Sequence, residues 1–194
     1  MNEGMEGVME RQVVLRGLRP IMFDRYPGDN TTELPVDKRF YRKGNAVVLP
    51  AENIMSFLTA TNTMSAPKRL LDKRKYKDVC NAFQCFVEVV EDEIPFVRDG
   101  KPVVFGQFVG DEDPESGIYI DRRVARLDKG IPNPKVRPVL PLPWELRFTL
   151  RLYPNGEVGE DILKQMFVEG GITLGFGKFR GRFGKFAVEH WNGK

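Results

Sequence analysis

The segment whose residue types could do chemistry runs from Gly170 to Phe186 and reads GGITLGFGKFRGRFGKF. Gly170, Gly171, Gly175, Gly177, Gly181 and Gly184 alternate there with Lys178, Arg180, Arg182 and Lys185, and Phe176, Phe179 and Phe183 stand between them. Glycine admits positive φ and lets a backbone approach a ligand closely, because no Cβ intervenes. Successive exposed amides in such a loop form anion-binding concavities. Amides, guanidinium groups and aromatic rings together suit a sugar-phosphate chain with unstacked bases. A Walker loop would need Lys followed by Ser or Thr at a helix start, and a dinucleotide fingerprint would follow a strand and open a helix. This segment follows a helical pattern and opens a strand-like one, so neither fits. A tight bulged hairpin with solvated charges remains the competing account.

A second basic run comprises Lys68, Arg69, Lys73, Arg74, Lys75 and Lys77, with Tyr76 among them. Such a cluster gives salt-sensitive, sequence-independent affinity for phosphates, or it is a solvated surface. Its charge density and lack of apolar periodicity predict that Pro67–Asp78 is mobile without a ligand. Arg147 and Arg151 share one side of a strand pattern and are a third candidate contact. Catalytic residues are harder to find. The sole histidine, His190, lies four residues from the end and has no second histidine to share acid and base duties. Asp24 could be a loop acid, but it reads more naturally as a turn or capping residue. Ser56, Ser65 and Ser116 lack a nucleophile elbow, and Asp111–Glu115 lacks an EF-hand spacing. No enzyme, no metal and no cofactor is expected.

The elements that must position these residues follow from periodicity. Arg11–Phe23 is a strand, bent or ended near Gly17 and Pro20, and Asn45–Leu49 is a short strand. Pro50 opens a helix over about 51–61 with Ile54, Met55, Phe57 and Leu58 on its apolar side. Asn81–Val90 reads as a strand, which would point Cys80 and Cys85 to opposite faces and preclude a disulfide. Trp144–Tyr153 alternates strictly, with Trp144, Leu146, Phe148, Leu150 and Leu152 on the apolar face. A helix over about 160–169 follows, terminated by Gly170 and Gly171, and Phe183–Trp191 is the last strand. The order predicts an α+β, ferredoxin-like (RRM-like) βαββαβ core with an antiparallel sheet. It forms one domain over 1–194, with β-rich insertions at about 24–45, 64–79 and 91–140, the last including a hairpin strand over Gly117–Leu127.

Composition agrees with a folded single domain: 194 residues, 41% hydrophobic, 29% charged, net charge +3. The charge is uneven, with 14 Lys/Arg against 8 Asp/Glu from Asp121 onward, which fits either a polyanion face or a solvated surface. No apolar run approaches the roughly 18 residues of a membrane span, and the N-terminus has no signal-peptide pattern. A cytoplasmic protein without membrane association is expected, in the host cytoplasm if phage-encoded. One histidine and two cysteines make a zinc site implausible.

The glycine-rich loop after the second helix resembles the hallmark of the RAMP superfamily, the RNA-binding proteins of CRISPR effector complexes. VVLPAENIMSFL (Val47–Leu58) resembles the strand–Pro–helix segment of backbone-type members. Lys135–Trp191 resembles small stand-alone RAMP-like proteins of phage and bacterial genomes, while the insertions show no likeness. The resemblance implies nucleic-acid contact at Gly175, Gly177, Gly181 and Gly184 and at their basic neighbours. It also implies self-association side by side along a strand, as a homo-oligomer or filament. Some members cleave RNA with a histidine or a loop aspartate. The expectation is therefore non-catalytic binding of single-stranded RNA, or less readily DNA. A RAMP-type endoribonuclease and a phage structural or assembly protein are the alternatives.

Overall fold

The computed structural model of the chain describes residues 7–29, 31–126, 130 and 132–193. Strand β1 (Met9–Gly17) buries Val13, Leu15 and Gly17 on one side. The chain turns at Pro20 into the two-residue β2 (Ile21–Met22), then crosses a 3-10 turn at Val36–Lys38 to reach the hairpin of β3 (Tyr41–Lys43) and β4 (Ala46–Pro50). Helix α1 (Ala51–Thr59) starts directly after Pro50, whose lack of an N–H costs nothing there, and buries Ile54, Phe57 and Leu58. Two further helices follow, α2 (Ala66–Leu70) and α3 (Tyr76–Phe86). Then come β5 (Val87–Val89), β6 (Glu93–Arg98), β7 (Lys101–Pro102), β8 (Tyr119–Arg126), β9 (Pro132–Leu140) and β10 (Glu145–Leu152). Helix α4 (Glu160–Thr173) and β11 (Phe186–Gly193) complete the chain.

The main sheet runs β11-β1-β10-β6-β4-β3, with β5 also on β10 and β7 on β6. Every pairing is antiparallel. Taking β1, β5/β6, β10 and β11 as the four core strands, their spatial order is fourth, first, third, second: the fold is α+β and ferredoxin-like. β2, β9 and β8 form a separate antiparallel three-stranded sheet. The hairpin expected over Gly117–Leu127 is β8 with its partner β9, in register from Tyr119↔Val139 to Arg126↔Pro132.

An aromatic cluster fills the core. Phe57 meets Phe167, Phe176 and Phe186 at ring-centroid distances of 5.7, 5.1 and 5.8 Å, and Phe176 stacks on Phe186 at 4.5 Å. Trp144 is fully buried over Gly17, and its indole N–H donates to Arg19 O at 2.9 Å. A Cβ at Gly17 would overlap the indole ring, so the small residue that ends β1 is what admits the tryptophan.

Two local readings need correction. Asn81–Val90 is helical through Phe86 and only Val87–Val89 pair as a strand. Val79, Cys80, Ala82, Phe83 and Phe86 face the core at a helical period, which overrides the apparent alternation of the same stretch. Cys80 is buried and Cys85 exposed on that helix, and both are free thiols. Gly170 and Gly171 do not end α4, which continues to Thr173. A Cβ at Gly170 would meet Phe57 and Ala66 at 2.8 and 2.9 Å, and one at Gly171 would lie 2.6 Å from the Phe186 backbone oxygen. These glycines let α4 press against α1, α2 and β11. Pro67–Asp78, expected to be mobile without a ligand, is helical at both ends with turns at 71–75 between them. Ser65 caps α2 through the Lys68 amide, Ala66 and Pro67 are buried, and Tyr76–Asp78 begin α3.

Candidate nucleic-acid interface

Between α4 and β11 the glycine-rich segment folds back on itself. Phe176 drops into the core, its amide donates to Gly184 O at 2.9 Å, and the Gly184 amide donates to Pro20 O at 2.8 Å. The Lys178 amide donates to Met22 O at 2.9 Å. Gly175, Gly177, Gly181 and Gly184 all have positive φ, from 70° to 95°. A Cβ at Gly175 would overlap the Gly184 carbonyl, one at Gly184 the Phe176 carbonyl, and one at Gly177 would sit 2.5 Å from Met22 O. The close approach these three glycines permit is therefore to the protein's own backbone, not to an external strand. Gly181 alone of the four opens onto free space.

The basic side chains of the loop divide in the same way. Arg180 reaches inward, donating to Gly177 O at 3.2 Å and Met64 O at 2.6 Å. It has no carboxylate partner among the described residues, and burial pushes its pKa down. It ties the loop to the start of α2, the element that carries Lys68. Lys178 remains more than half exposed, with its ammonium 3.8 Å from Asp24. Arg182 is exposed and Lys185 half-buried. Phe179 has φ 48°, unusual for an aromatic residue.

Two clefts flank the loop. One of about 250 Å³ lies between Asp24–Tyr26, Tyr41, Asn53 and Ser56 of α1, and Gly177, Lys178 and Arg180 of the loop. The other, about 390 Å³, is bounded by Asp24–Pro27, Thr31–Leu34, Arg39, Lys135 and Lys178. Asp24 and Lys178 line both. Their walls are cationic and aromatic: the Arg25 guanidinium lies 4.7 Å from the Tyr41 ring centre, and Arg39 donates to Leu34 O, Glu33 and Asp24.

Beside the loop stands the β8–β9 hairpin, whose Lys135 lines the second cleft. Arg123 lies 4.6 Å from the Phe183 ring centre and 5.4 Å from that of Phe179, and Arg137 lies 5.7 Å from Phe179. Tyr119 and Phe179 pack against Met22, Val139 and Phe183 in a small second core. Arg123 is held by Asp121, whose hydrogen bond raises the guanidinium pKa. Arg39, Arg123, Lys135 and Arg137 were not foreseen as site residues. A period-2 reading of Tyr119, Asp121 and Arg123, and of Lys135 and Arg137, places each set on one strand face, and that signal was available.

The fold is shared with a chain of known structure. The chain is similar to one in the cryo-EM structure of the Type III-B Cmr-beta bound to cognate target RNA, with TM-score 0.55 and 13% sequence identity. The match covers 96% of this chain and 60% of that one. No protein-family model and no curated protein matches the sequence.

The remaining candidates lie apart from the loop. Arg147 and Arg151 project from the sheet's polar face, where Arg147 pairs with Glu145 at 2.8 Å and Arg151 with Glu10 at 3.0 Å and Glu88 at 3.5 Å. Arg147 is matched within β10 and Arg151 across to β1 and β5, so neither guanidinium is an unpaired cation on that face. Lys73, Arg74 and Lys75 are exposed between α2 and α3, along with Arg69 on α2. Lys68 is folded back, donating to Thr61 O at 3.0 Å with its ammonium 5.9 Å from the Tyr76 ring centre. His190 is exposed on the edge strand β11.

Proposed function

We propose that the protein binds single-stranded nucleic acid, RNA in preference to DNA, without cleaving it, in the groove between the glycine-rich loop, the Asp24–Tyr26 turn and the β8–β9 hairpin. The observation that carries this reading is convergence: Lys178 of the loop lines the clefts with Arg25, Arg39 and Lys135 from sequence-distant elements, Arg137 joins Lys178 and Arg39 at Asp24, and Tyr26, Tyr41 and Phe179 stand among them. Cations spaced by aromatic faces suit a strand whose phosphates are held while bases stack. The Cmr-beta chain of similar fold comes from a complex bound to target RNA, which supports RNA as the first ligand to try and RAMP kinship as the framework. Side-by-side assembly along the strand belongs to the same proposal.

The test is a salt titration of RNA binding by wild type and by Lys178→Ala/Arg182→Ala/Lys185→Ala. Arg180 is left in place because its guanidinium bonds to Met64 O and Gly177 O hold the loop together. Losing about three phosphate contacts should shrink the slope of log affinity against log salt by roughly 2, at about 0.7 per phosphate. Unchanged affinity and slope in a folded triple variant would move the site elsewhere, first to Arg69–Lys77. Labelled RNA should also survive incubation intact, with and without divalent metal. Cleavage abolished by Asp24→Asn would favour the endoribonuclease alternative.

A further inference from the structure

Asp24 sits where three of the groove's cations meet. Its carboxylate is 2.9 Å from Arg137 Nη2, 3.3 Å from Arg39 Nη1 and 3.8 Å from Lys178 Nζ. One carboxylate therefore serves three cations that arrive from β9, from the turn before β3 and from the glycine-rich loop. Glu33 takes the outer side of Arg39 but is itself 87% exposed. Among the described residues, no other carboxylate pairs with Arg137 or Lys178. Arg137 is the telling member. Its side chain is only 8% exposed, yet Nε and Nη1 have no hydrogen-bond partner. A buried guanidinium with idle donors is costly, because its hydration has been lost without replacement. Covering it is the Phe179 ring, carried by a residue in left-handed backbone that an L side chain rarely adopts.

We propose that Asp24 is an internal stand-in for phosphate: it holds Arg39, Arg137 and Lys178 together in the free protein and yields them to a phosphodiester of the bound strand. The proposal rests on the nucleic-acid reading above and names the chemical group that occupies its centre. A phosphodiester carries the same single charge as the carboxylate and offers acceptor oxygens to the donors that Arg137 leaves unused. Phe179 is then the cover that swings away, trading its place over Arg137 for a stacked base. Asp24 acts as an electrostatic competitor, keeping three like charges from repelling one another until the strand arrives.

The consequence runs against the usual effect of altering a site residue: removing the competitor should improve binding. Asp24→Asn is titrated with fluorescein-labelled oligouridine by anisotropy across a salt series, beside wild type. The expected result is about fivefold tighter binding at low salt, the scale of one partly screened charge interaction, with a steeper salt slope. Tight wild-type binding with equal or weaker binding by folded Asp24→Asn overturns this proposal and leaves the general reading standing. No RNA binding by wild type overturns both. Stabilisation by inorganic phosphate in a protein that binds no RNA also overturns both, in favour of a small-anion site. If Asp24→Asn does not melt cooperatively, Asp24→Asn/Arg137→Met is compared with Arg137→Met. Removing both members of a buried pair is better tolerated than removing one. The gain from losing the carboxylate should persist through Arg39 and Lys178, and its absence in that background overturns the proposal.

Discussion

Gly184 and Gly181 look alike in the sequence, each beside a basic residue in the same glycine-rich run, yet they do different work. Gly184 has φ +70° and lies against the Phe176 backbone, while Gly181, at φ +95°, has nothing within 4 Å of where a Cβ would be. Gly181→Ala should cost about 1 kcal/mol, the strain of a left-handed L residue. Gly184→Ala adds overlap with a backbone carbonyl that cannot step aside, and should cost upward of about 3 kcal/mol from strain and overpacking together. Urea unfolding of the two variants reads the difference directly, and equal losses would contradict this account of the loop. At this scale the sequence disclosed that the glycines mattered but not toward what. Positive φ is legible from glycine alone, whereas the partner approached, the Phe176 backbone for Gly184 and the distant Met22 carbonyl for Gly177, is set by how the loop folds back onto β2.

At the scale of elements, alternation and amphipathicity were sound guides wherever one face of an element is buried and the other is wet. β10 and α1 lie where their patterns put them, because each has a single apolar face. α3 was misread because its residues satisfy both periods for several positions, and tertiary packing chose the helix. α4 was cut short because glycine usually marks a helix end. Here Gly171 is interior, and a substitution there sets two effects against each other. Replacing an interior helical glycine by alanine favours the isolated helix by about 1 kcal/mol. The new methyl would, however, lie 2.6 Å from the Phe186 backbone oxygen and crowd its ring, an overpacking that typically costs 1–3 kcal/mol. Gly171→Ala is therefore expected to be destabilising by about 1 kcal/mol net, seen as a lower denaturation midpoint with an unchanged m-value. A rise in stability would show that α4 can shift away from β11 freely.

Across the whole molecule, the core fold was legible and the site only half so. The loop announces itself by composition, but Arg39, Arg123, Lys135 and Arg137 reach it from segments read as insertions. Convergence of distant residues is a property of topology that no local window contains. The same topology has a kinetic side. β1 pairs with β10 through Met9↔Leu152 and with β11 through Arg11↔Gly193, so the middle of the sheet cannot close until nearly the entire chain has been made. Folding should be slow for a domain of this size, because long-range contacts incur loop-closure entropy before any pairing rewards it. The ends of that arrangement are neighbours, so a short flexible linker can join β11 to β1 as a hairpin. The chain can then be reopened at Gly44, an exposed turn between β3 and β4 with φ +60° and open space around it. The permutant converts the most distant pairing into the most local one, and its refolding rate in stopped-flow should rise at little change in stability. An unaltered rate would mean that nucleation lies in the helices and not in the central strands.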